Sequence, residues 1–329
     1  MLVLNRVQIE ALLDLERLID ALASAMADLS AGRASVPPRI AAFVPEHDGL
    51  LGAMPGYVPS LGVLMSKLVT LFPGNAGTPL PTHQALIATF DPRTGQPTAL
   101  LDGTAITAIR TGAGSALSVR LLARADAATL AIVGTGVQAR SHIRAILCVR
   151  PIREIRIAGR DPAHVAALVA ELAPTTDAVV RAMPSYREAL AGADIVCATT
   201  HAGEPVVRRE WLAPGVHVTS VGYHPTGCEV DAATVADARV VVESRAAALA
   251  PLPAGSNDLL LPIRDGVITP EHVYAEIGEL VAGTKPGRLS TEDITLYKSV
   301  GVAVQDAAAA ALVVAAAQER GLGEHLALE

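Results

Sequence analysis

Residues 128–139 read Ala-Thr-Leu-Ala-Ile-Val-Gly-Thr-Gly-Val-Gln-Ala, an apolar run that leads into a GxGxxA pattern. The run predicts a buried strand, and the residues at 137–147 predict a helix. Gly134 permits the tight turn, Gly136 lets the backbone approach a pyrophosphate, and Ala139 allows the helix to pack closely on the strand. The pattern alone is weak evidence, but a strand before it and a helix after it favour a dinucleotide site at the helix N-terminus.

Strands and helices alternate along the chain beyond this motif. Further strands are predicted at 152–159, 177–183, 194–200, 216–222 and 239–244, with helical stretches at 164–172 and 186–193. This alternation indicates a parallel sheet covered on both faces, as in the doubly wound Rossmann fold. The fold class is therefore α/β, with the dinucleotide-binding region from about Ala128 to Val302.

The N-terminal part has a different pattern. Asp14 is a good N-cap for a helix whose apolar residues fall on one face and which Gly32 ends. Strands are predicted at 40–45, 50–58 and 62–72, followed by a hairpin at 85–90 and 97–103. Thr104 is predicted to cap the next helix, and a last long helix is expected from about Asp293.

Composition excludes several classes of protein. The 329 residues are enough for two domains, and the net charge of −7 without a basic run argues against nucleic acid or an anionic membrane as partner. The three cysteines show no metal-ligand spacing, so we expect neither disulfides nor a metal site. The N-terminus has no signal-peptide pattern, and Val300–Ala317 is too short and too polar for a membrane span, which favours the cytoplasm.

The cofactor preference depends on the end of the second predicted strand, about 20 residues beyond the glycines, where the ribose is recognised. The chain has Gly159 and Arg160 there instead of an acidic residue. A guanidinium suits a 2′-phosphate, so we predict NADPH, with NADH as the other option. The alternative is that Arg160 is solvated and Asp161 contacts the ribose.

Three cations are conspicuous in the N-terminal half, namely Arg39, Lys67 and Arg110. A single Lys or Arg usually lies on a hydrated face, whereas three in the domain opposite a nicotinamide site would form a receptor for a carboxylate.

Six motifs are distributed over nearly the whole chain: PPR at 37–39, MSKLV at 65–69, LLDGTAITAIRTGAGSA at 100–116, GTGVQA at 134–139, KPGR at 285–288 and DITLYKSVG at 293–301. With these motifs the chain resembles the ornithine cyclodeaminase/mu-crystallin family. The resemblance implies a discontinuous α+β domain at 1–117 with 303–329, which binds substrate and forms a homodimer. It also implies a Rossmann domain at 118–302.

The resemblance also implies site residues, position by position. Arg39, Lys67 and Arg110 match residues that hold the substrate carboxylate, and Lys67 matches the candidate for proton relay. Ser299 and Val300 match the stretch beside the nicotinamide and the substrate. The positions that match cofactor contacts are Thr82, Gly134, Gly136, Val137, Gln138, Arg160, Thr199 and Val221.

One segment departs from the cyclodeaminase pattern. Cyclodeaminases carry an aspartate shortly after the Val-Gly of the sixth strand, whereas residues 221–229 read VGYHPTGCE, with His224 nearest that place. Ammonia loss and ring closure need that acid/base group. Reduction of a preformed imine needs only a hydride, a carboxylate-binding site and one proton, which His224 or Lys67 can supply. The alternative is that His224 merely borders the cofactor.

The sequence therefore predicts an NAD(P)H-dependent reductase of Δ1-pyrroline-2-carboxylate and Δ1-piperideine-2-carboxylate, which forms L-proline and L-pipecolate. The alternatives are an ornithine cyclodeaminase, an alanine or other amino-acid dehydrogenase, and a ligand-binding protein of the mu-crystallin kind. The retained cations count against a purely binding role.

Overall fold

Two sheets organise the computed structural model, which describes residues 1–327. The strands are β1 (Leu2–Leu4), β2 (Ile40–Val44), β3 (Gly49–Val58), β4 (Val63–Leu71), β5 (His83–Phe90), β6 (Pro97–Asp102), β7 (Thr129–Val133), β8 (Glu154–Ala158), β9 (Val179–Ala182), β10 (Ile195–Ala198), β11 (His217–Ser220), β12 (Arg239–Val242), β13 (Val273–Glu276), β14 (Thr295–Lys298) and β15 (Glu324–His325). The α-helices are α1 (Arg6–Leu12), α2 (Leu15–Ser30), α3 (Gly103–Leu122), α4 (Val137–Leu147), α5 (Pro162–Leu172), α6 (Tyr186–Leu190), α7 (Ala232–Asp237), α8 (Arg245–Ala248), α9 (Asn257–Arg264), α10 (Ile277–Val281) and α11 (Ala303–Arg320).

The chain folds into two units, and the first of them is discontinuous in sequence. The first unit is Met1–Arg110 with Gly301–Glu329, and the second is Thr111–Val300. Both boundaries lie next to predicted site residues, because the first follows Arg110 and the second follows Val300.

The first unit contains a sheet in the order β15-β1-β6-β5-β4-β3-β2. Its strands pair antiparallel except β1 with β6, and the predicted hairpin forms between β5 and β6. Helix α11 packs on α2 and on β3 and β4. The predicted cap of α2 is confirmed, since Asp14 accepts the N–H of Arg17 at 2.9 Å. The apolar face of α2 is buried, with Leu18, Leu22 and Met26 at 0–1% exposure.

The prediction that Thr104 caps α3 is wrong, because the helix begins at Gly103 directly after β6. Asp102 accepts the N–H of Ala105 in the first turn at 2.9 Å, as an N-cap aspartate does. The Thr104 hydroxyl instead accepts the N–H of Ala85 on β5 at 2.9 Å.

The prediction of a helix from about Asp293 is also wrong, because α11 begins at Ala303. The residues of β14 are all buried, and they lie in the sheet between β11 and β12. Backbone hydrogen bonds from two parallel neighbours hold this segment as a strand. Gly301 then adopts a left-handed backbone with φ of +76°, which separates the strand from the helix.

The second unit contains a parallel sheet in the order β13-β12-β14-β11-β10-β7-β8-β9. The part β9-β8-β7-β10-β11 has the doubly wound order, with its reversal between β7 and β10. Helix α4 follows β7 with the bounds that the sequence predicted. The predicted Rossmann fold is therefore confirmed, and ligands of such sheets bind beyond the carboxyl ends of the strands at the reversal.

Candidate active site

The glycine-rich turn in the second unit follows β7. Gly134 has a φ of +115°, and a Cβ at this position would lie 2.8 Å from Oγ1 of Thr199. The Gly134 N–H donates to the carbonyl of Ala158, and the Thr199 hydroxyl donates to that of Val133, both at 2.9 Å. The turn is therefore tied to both neighbouring strands, and only glycine fits its first position.

The N-terminus of α4 fits a pyrophosphate. Gly136 is the N-cap, no side chain caps the helix, and a Cβ at Gly136 would meet no atom within 4 Å. The Arg140 side chain donates to the backbone carbonyl of Thr135 at 2.7 Å and so stabilises the glycine-rich turn. Val137 is 57% exposed at the start of the helix. Open space and uncapped N–H groups at a helix N-terminus are what an anionic phosphate requires.

The predicted ribose position lies at the end of β8. Arg160 is exposed there, while Asp161 caps α5 and accepts the N–H of Ala163 at 2.8 Å. The aspartate therefore caps the helix, and the predicted contact of Arg160 with the cofactor stays a prediction.

The carboxyl ends of β11 and β14 bring further predicted positions together. The pairing of Ser220 with Lys298 makes Val221 and Ser299 neighbours, and the Ser299 N–H donates to the carbonyl of Ser220 at 3.0 Å. The Ser299 hydroxyl and the Val300 N–H donate to the buried carboxylate of Glu243 at 2.7 and 2.8 Å. The Glu243 carboxylate therefore fixes the position of residues 299–300.

A buried network that sequence reasoning missed surrounds Gly222. Lys298 is fully buried, and its Nζ donates to the Gly222 carbonyl at 2.8 Å and pairs with Asp258 at 2.8 Å. The Gly222 N–H donates to Glu229 at 2.7 Å, and Glu229 also accepts the N–H and the hydroxyl of Thr200 at 2.6 Å. The N–H and the carbonyl of Gly222 are thus bound by two buried side chains, those of Glu229 and Lys298.

His224 lies in the loop that begins at Val221. Its Nδ1 accepts the N–H of Gly227 at 2.9 Å, and its carbonyl accepts Nδ2 of Asn257 at 3.0 Å. A Cβ at Gly203 would lie 3.1 Å from Nε2 of the ring. These contacts show a ring that organises its own loop, and the predicted proton-donor role of His224 stays a prediction.

In the first unit, the structure brings Arg39, Lys67 and Arg110 together. Arg39 donates to the carbonyl of Gly301 at 2.7 Å, and a Cβ at Gly301 would lie 2.9 Å from the guanidinium of Arg110. Glycine at this position therefore lets both arginines approach the start of α11. Lys67 and Arg110 are 2% and 5% exposed.

Asp306, on the first turn of α11, joins two of these cations. Its Oδ1 accepts from Nζ of Lys67 at 3.2 Å and from Nε of Arg110 at 3.1 Å. The adjacent Gln305 accepts from Nη1 of Arg110 at 2.7 Å. The sequence predicted no role for Gln305 or Asp306, which lie in the segment judged too polar for a membrane span. A single carboxylate at the start of an alanine-rich helix was the sequence feature that could have identified Asp306 as a site residue.

Burial changes the protonation of this cluster. It lowers the pKa of Lys67 to about 8, with Arg110 and Arg39 acting in the same direction and Asp306 opposing them. Burial and the nearby Lys67 and Arg110 lower the pKa of His83, on β5, to about 4. The imidazole is therefore neutral near pH 7, and Lys67 and Arg110 together share the single negative charge of Asp306.

The other predicted cofactor positions lie as follows. Gln138 is half-buried on the first turn of α4, and Thr82 is exposed in the first unit, where its carbonyl accepts the N–H of Phe72 at 2.9 Å. Thr82 therefore belongs to a different unit from the glycine-rich turn.

Within residues 1–327, no group of three or more metal-ligating side chains is found, and the three cysteines are free thiols. No helix in the described part of the chain is long and apolar enough to cross a membrane.

Comparison with known proteins identifies the family. A model described as the ornithine cyclodeaminase/mu-crystallin family matches residues 1–321. Ketimine reductase mu-crystallin of Mus musculus is 37% identical over 300 residues, which is 90% of each chain. The Δ1-pyrroline-2-carboxylate reductase of Thermococcus litoralis, solved with NADH and L-proline, is 37% identical, with a TM-score of 0.95 over 99% of this chain and 100% of that one.

An archaeal alanine dehydrogenase dimer with bound NAD is 30% identical, with a TM-score of 0.91 over 100% of this chain and 99% of that one. The resemblance inferred from the motifs is confirmed by the family match and by these relatives. The chain belongs to the ornithine cyclodeaminase/mu-crystallin family.

Proposed function

We propose that this protein uses NAD(P)H to reduce the cyclic ketimines Δ1-pyrroline-2-carboxylate and Δ1-piperideine-2-carboxylate to L-proline and L-pipecolate. The observation that carries the proposal is the pair of buried cations Lys67 and Arg110, which share the one carboxylate of Asp306, with the half-buried Arg39 close by. Excess buried positive charge is stabilised by an anion, and a carboxylate matches the planar guanidinium groups. The relatives named as ketimine and pyrroline-2-carboxylate reductases support the same reaction.

The residues of the second unit support a dinucleotide as the second reactant, which supplies the hydride when it is bound. The free N–H groups at Gly136 would hold the pyrophosphate, and Arg160 would hold a 2′-phosphate. Val221 and the Ser299-Val300 stretch would border the nicotinamide. We propose NADPH as the preferred cofactor. The Thermococcus enzyme was solved with NADH, so NADH is the cofactor against which NADPH should be compared.

The cations of the first unit have separate tasks in this proposal. Arg39 and Arg110 bind the substrate carboxylate, which orients the C=N bond. Lys67 donates a proton to the imine nitrogen, because its pKa of about 8 leaves it mostly protonated near pH 7 and able to release that proton. His224 is the second candidate donor, although its Nδ1 is already used by the loop.

We also propose a homodimer that acts in the cytoplasm. In this assignment residues 1–117 with 303–329 bind substrate and form the dimer interface, and residues 118–302 bind the cofactor. One face of the first sheet supports the interface, because Ile40, Leu68 and Leu86 lie in one row of paired strands and are 43–70% exposed. The alanine dehydrogenase relative is described as a dimer.

A reductase assay tests the function. We expect oxidation of NADPH, and less efficiently of NADH, with each cyclic imine. Ornithine with NAD⁺, and pyruvate with ammonia, are the comparison reactions for a cyclodeaminase and an alanine dehydrogenase. Absence of turnover with both imines contradicts the proposal, and turnover of ornithine or pyruvate alone identifies the competing activity. Lys67→Ala should abolish imine reduction in a folded protein, which separates catalysis from ligand binding.

A further inference from the structure

Asp306 occupies a position that no motif assigned. The side chain is fully buried, and its Oδ1 accepts from both Lys67 and Arg110 at 3.2 and 3.1 Å. Its Oδ2 accepts from no donor among residues 1–327. Because a single oxygen of this buried carboxylate binds both cations, we expect Asp306 to act on Lys67 and Arg110 mainly through its negative charge.

The surroundings of Asp306 keep it ionised. Burial opposes ionisation, but Arg110 and Lys67 together hold the pKa of the Asp306 carboxyl below its usual value. The side chain also lies on the first turn of α11, where the helix dipole favours negative charge. Gln305 binds the same guanidinium, so two consecutive residues of α11 fix Arg110.

Lys67 is faced by charged or titratable groups from four parts of the first unit. Asp306 is on α11, Arg110 on α3, Arg39 just before β2, and His83 on β5. Burial, Arg110 and Arg39 all favour the neutral amine, and His83 carries no charge near pH 7. Asp306 is the group that favours the ammonium form.

We propose that Asp306 is a positioning residue that keeps Lys67 charged and directed for proton transfer. The proposal rests on the proposed function. The N–H bond of the Lys67 ammonium breaks and its proton bonds to the imine nitrogen, while the imine carbon accepts the hydride and the C=N electron pair becomes an N–H bond. Lys67 is left as a neutral amine and regains a proton from solvent.

The chain is suited to a direct measurement, because it contains only three lysines, Lys67, Lys285 and Lys298. Protein labelled with ¹³Cε-lysine should give three NMR signals, which Lys67→Arg and Lys285→Arg assign. In Asp306→Asn the pKa of Lys67 should fall by about one to three units, the size of the effect of an opposite charge within hydrogen-bonding distance. Asp306→Glu keeps the charge and should keep the pKa near its original value.

Asp258→Asn is the matched control, because it removes the buried carboxylate from Lys298 and should leave the Lys67 signal unchanged. Asp306→Ser is a second neutral variant, with room for a water, for use if Asp306→Asn does not fold. An unchanged Lys67 titration in either neutral variant overturns the proposal.

The pH dependence of turnover provides the catalytic measurement. In the unaltered enzyme kcat/KM should decline as pH rises through about 8, when Lys67 of the free enzyme loses its proton. In Asp306→Asn the decline in kcat/KM should move to lower pH by the same about one to three units, so that the lost activity returns as the pH falls. A uniform loss at every pH would indicate a structural role and contradict the proposal. If the unaltered enzyme reduces no imine, the proposed function fails, while the NMR titration still decides the role of Asp306.

Discussion

Lysine is rare in this chain, with three among 26 basic residues, and two of the three are buried in polar networks. Arginine stays charged in proteins, whereas a buried lysine can lose its proton. Lys67, with its pKa lowered by burial to about 8, has the property that a proton donor needs. Its scarcity was a sequence signal that would also have singled out Lys298.

Arg160 is expected to decide the cofactor preference. Arg160→Ser should raise the KM for NADPH about 10- to 100-fold, because hydrogen bonds to a charged group contribute about 1.5–3 kcal/mol. The KM for NADH should change little. Steady-state kinetics with both cofactors measure this, and Arg153→Ser, another exposed arginine, is the control. An equal change for the two cofactors would assign Arg160 to the solvated surface.

At the scale of elements, Lys298 connects β14 to the loop after β11. Lys298→Met should lower the free energy of unfolding by about 3–5 kcal/mol, since it removes the cation from the buried Asp258 carboxylate and leaves it with neutral donors. Urea denaturation measures the change. Lys285→Met, at the third lysine, is the control, and the double variant Lys298→Met/Asp258→Asn should recover part of the loss. A loss below about 1 kcal/mol in Lys298→Met contradicts this account.

The exposed row on the first sheet predicts the oligomeric state. Leu68→Asp places a charge in the middle of this row, between Ala53 on β3 and Leu86 on β5. If the sheet face is the dimer interface, the variant should be monomeric by light scattering at concentrations where the unaltered protein is a dimer. Val7→Asp changes a residue that is 73% exposed on α1 and should not alter the mass. A dimeric Leu68→Asp protein would exclude this face.

At the scale of the whole molecule, two buried histidines predict acid sensitivity. His142 and His217 are fully buried and contact Ser115 and Ser118 on α3 at 2.8 and 3.0 Å. Burial lowers the pKa of His142 to about 4 and that of His217 to about 3. In the unfolded chain both titrate near 6.5, so below that pH the unfolded chain binds more protons and stability falls.

The free energy of unfolding should therefore decrease between pH 7 and pH 4. The double variant His142→Gln/His217→Gln should show a smaller decrease over this window, whatever its stability at pH 7. Urea denaturation at several pH values provides the test, with the exposed His47→Gln as control. If the double variant and the unaltered protein have the same pH slope, these histidines do not account for acid sensitivity.

The sequence by itself determined the features that depend on neighbours along the chain. The strand–glycine–helix unit around Gly134 and the capped helix α2 formed as predicted, because apolar periodicity, a capping side chain and glycine conformation act over a few residues. The set Arg39, Lys67 and Arg110 was grouped from residue type and then matched to family motifs, and its role as a carboxylate site stays a prediction.

Only the tertiary structure decided which distant residues complete these elements. Residues 295–298 form a strand because they pair with two parallel neighbours. Asp306 contacts Lys67, although 239 positions of sequence separate them. Lys298 likewise contacts Asp258 and the Gly222 carbonyl because the pairing of β11 with β14 brings these residues together. A buried charge is stabilised by whichever group the fold places beside it, and no spacing along the chain specifies that group.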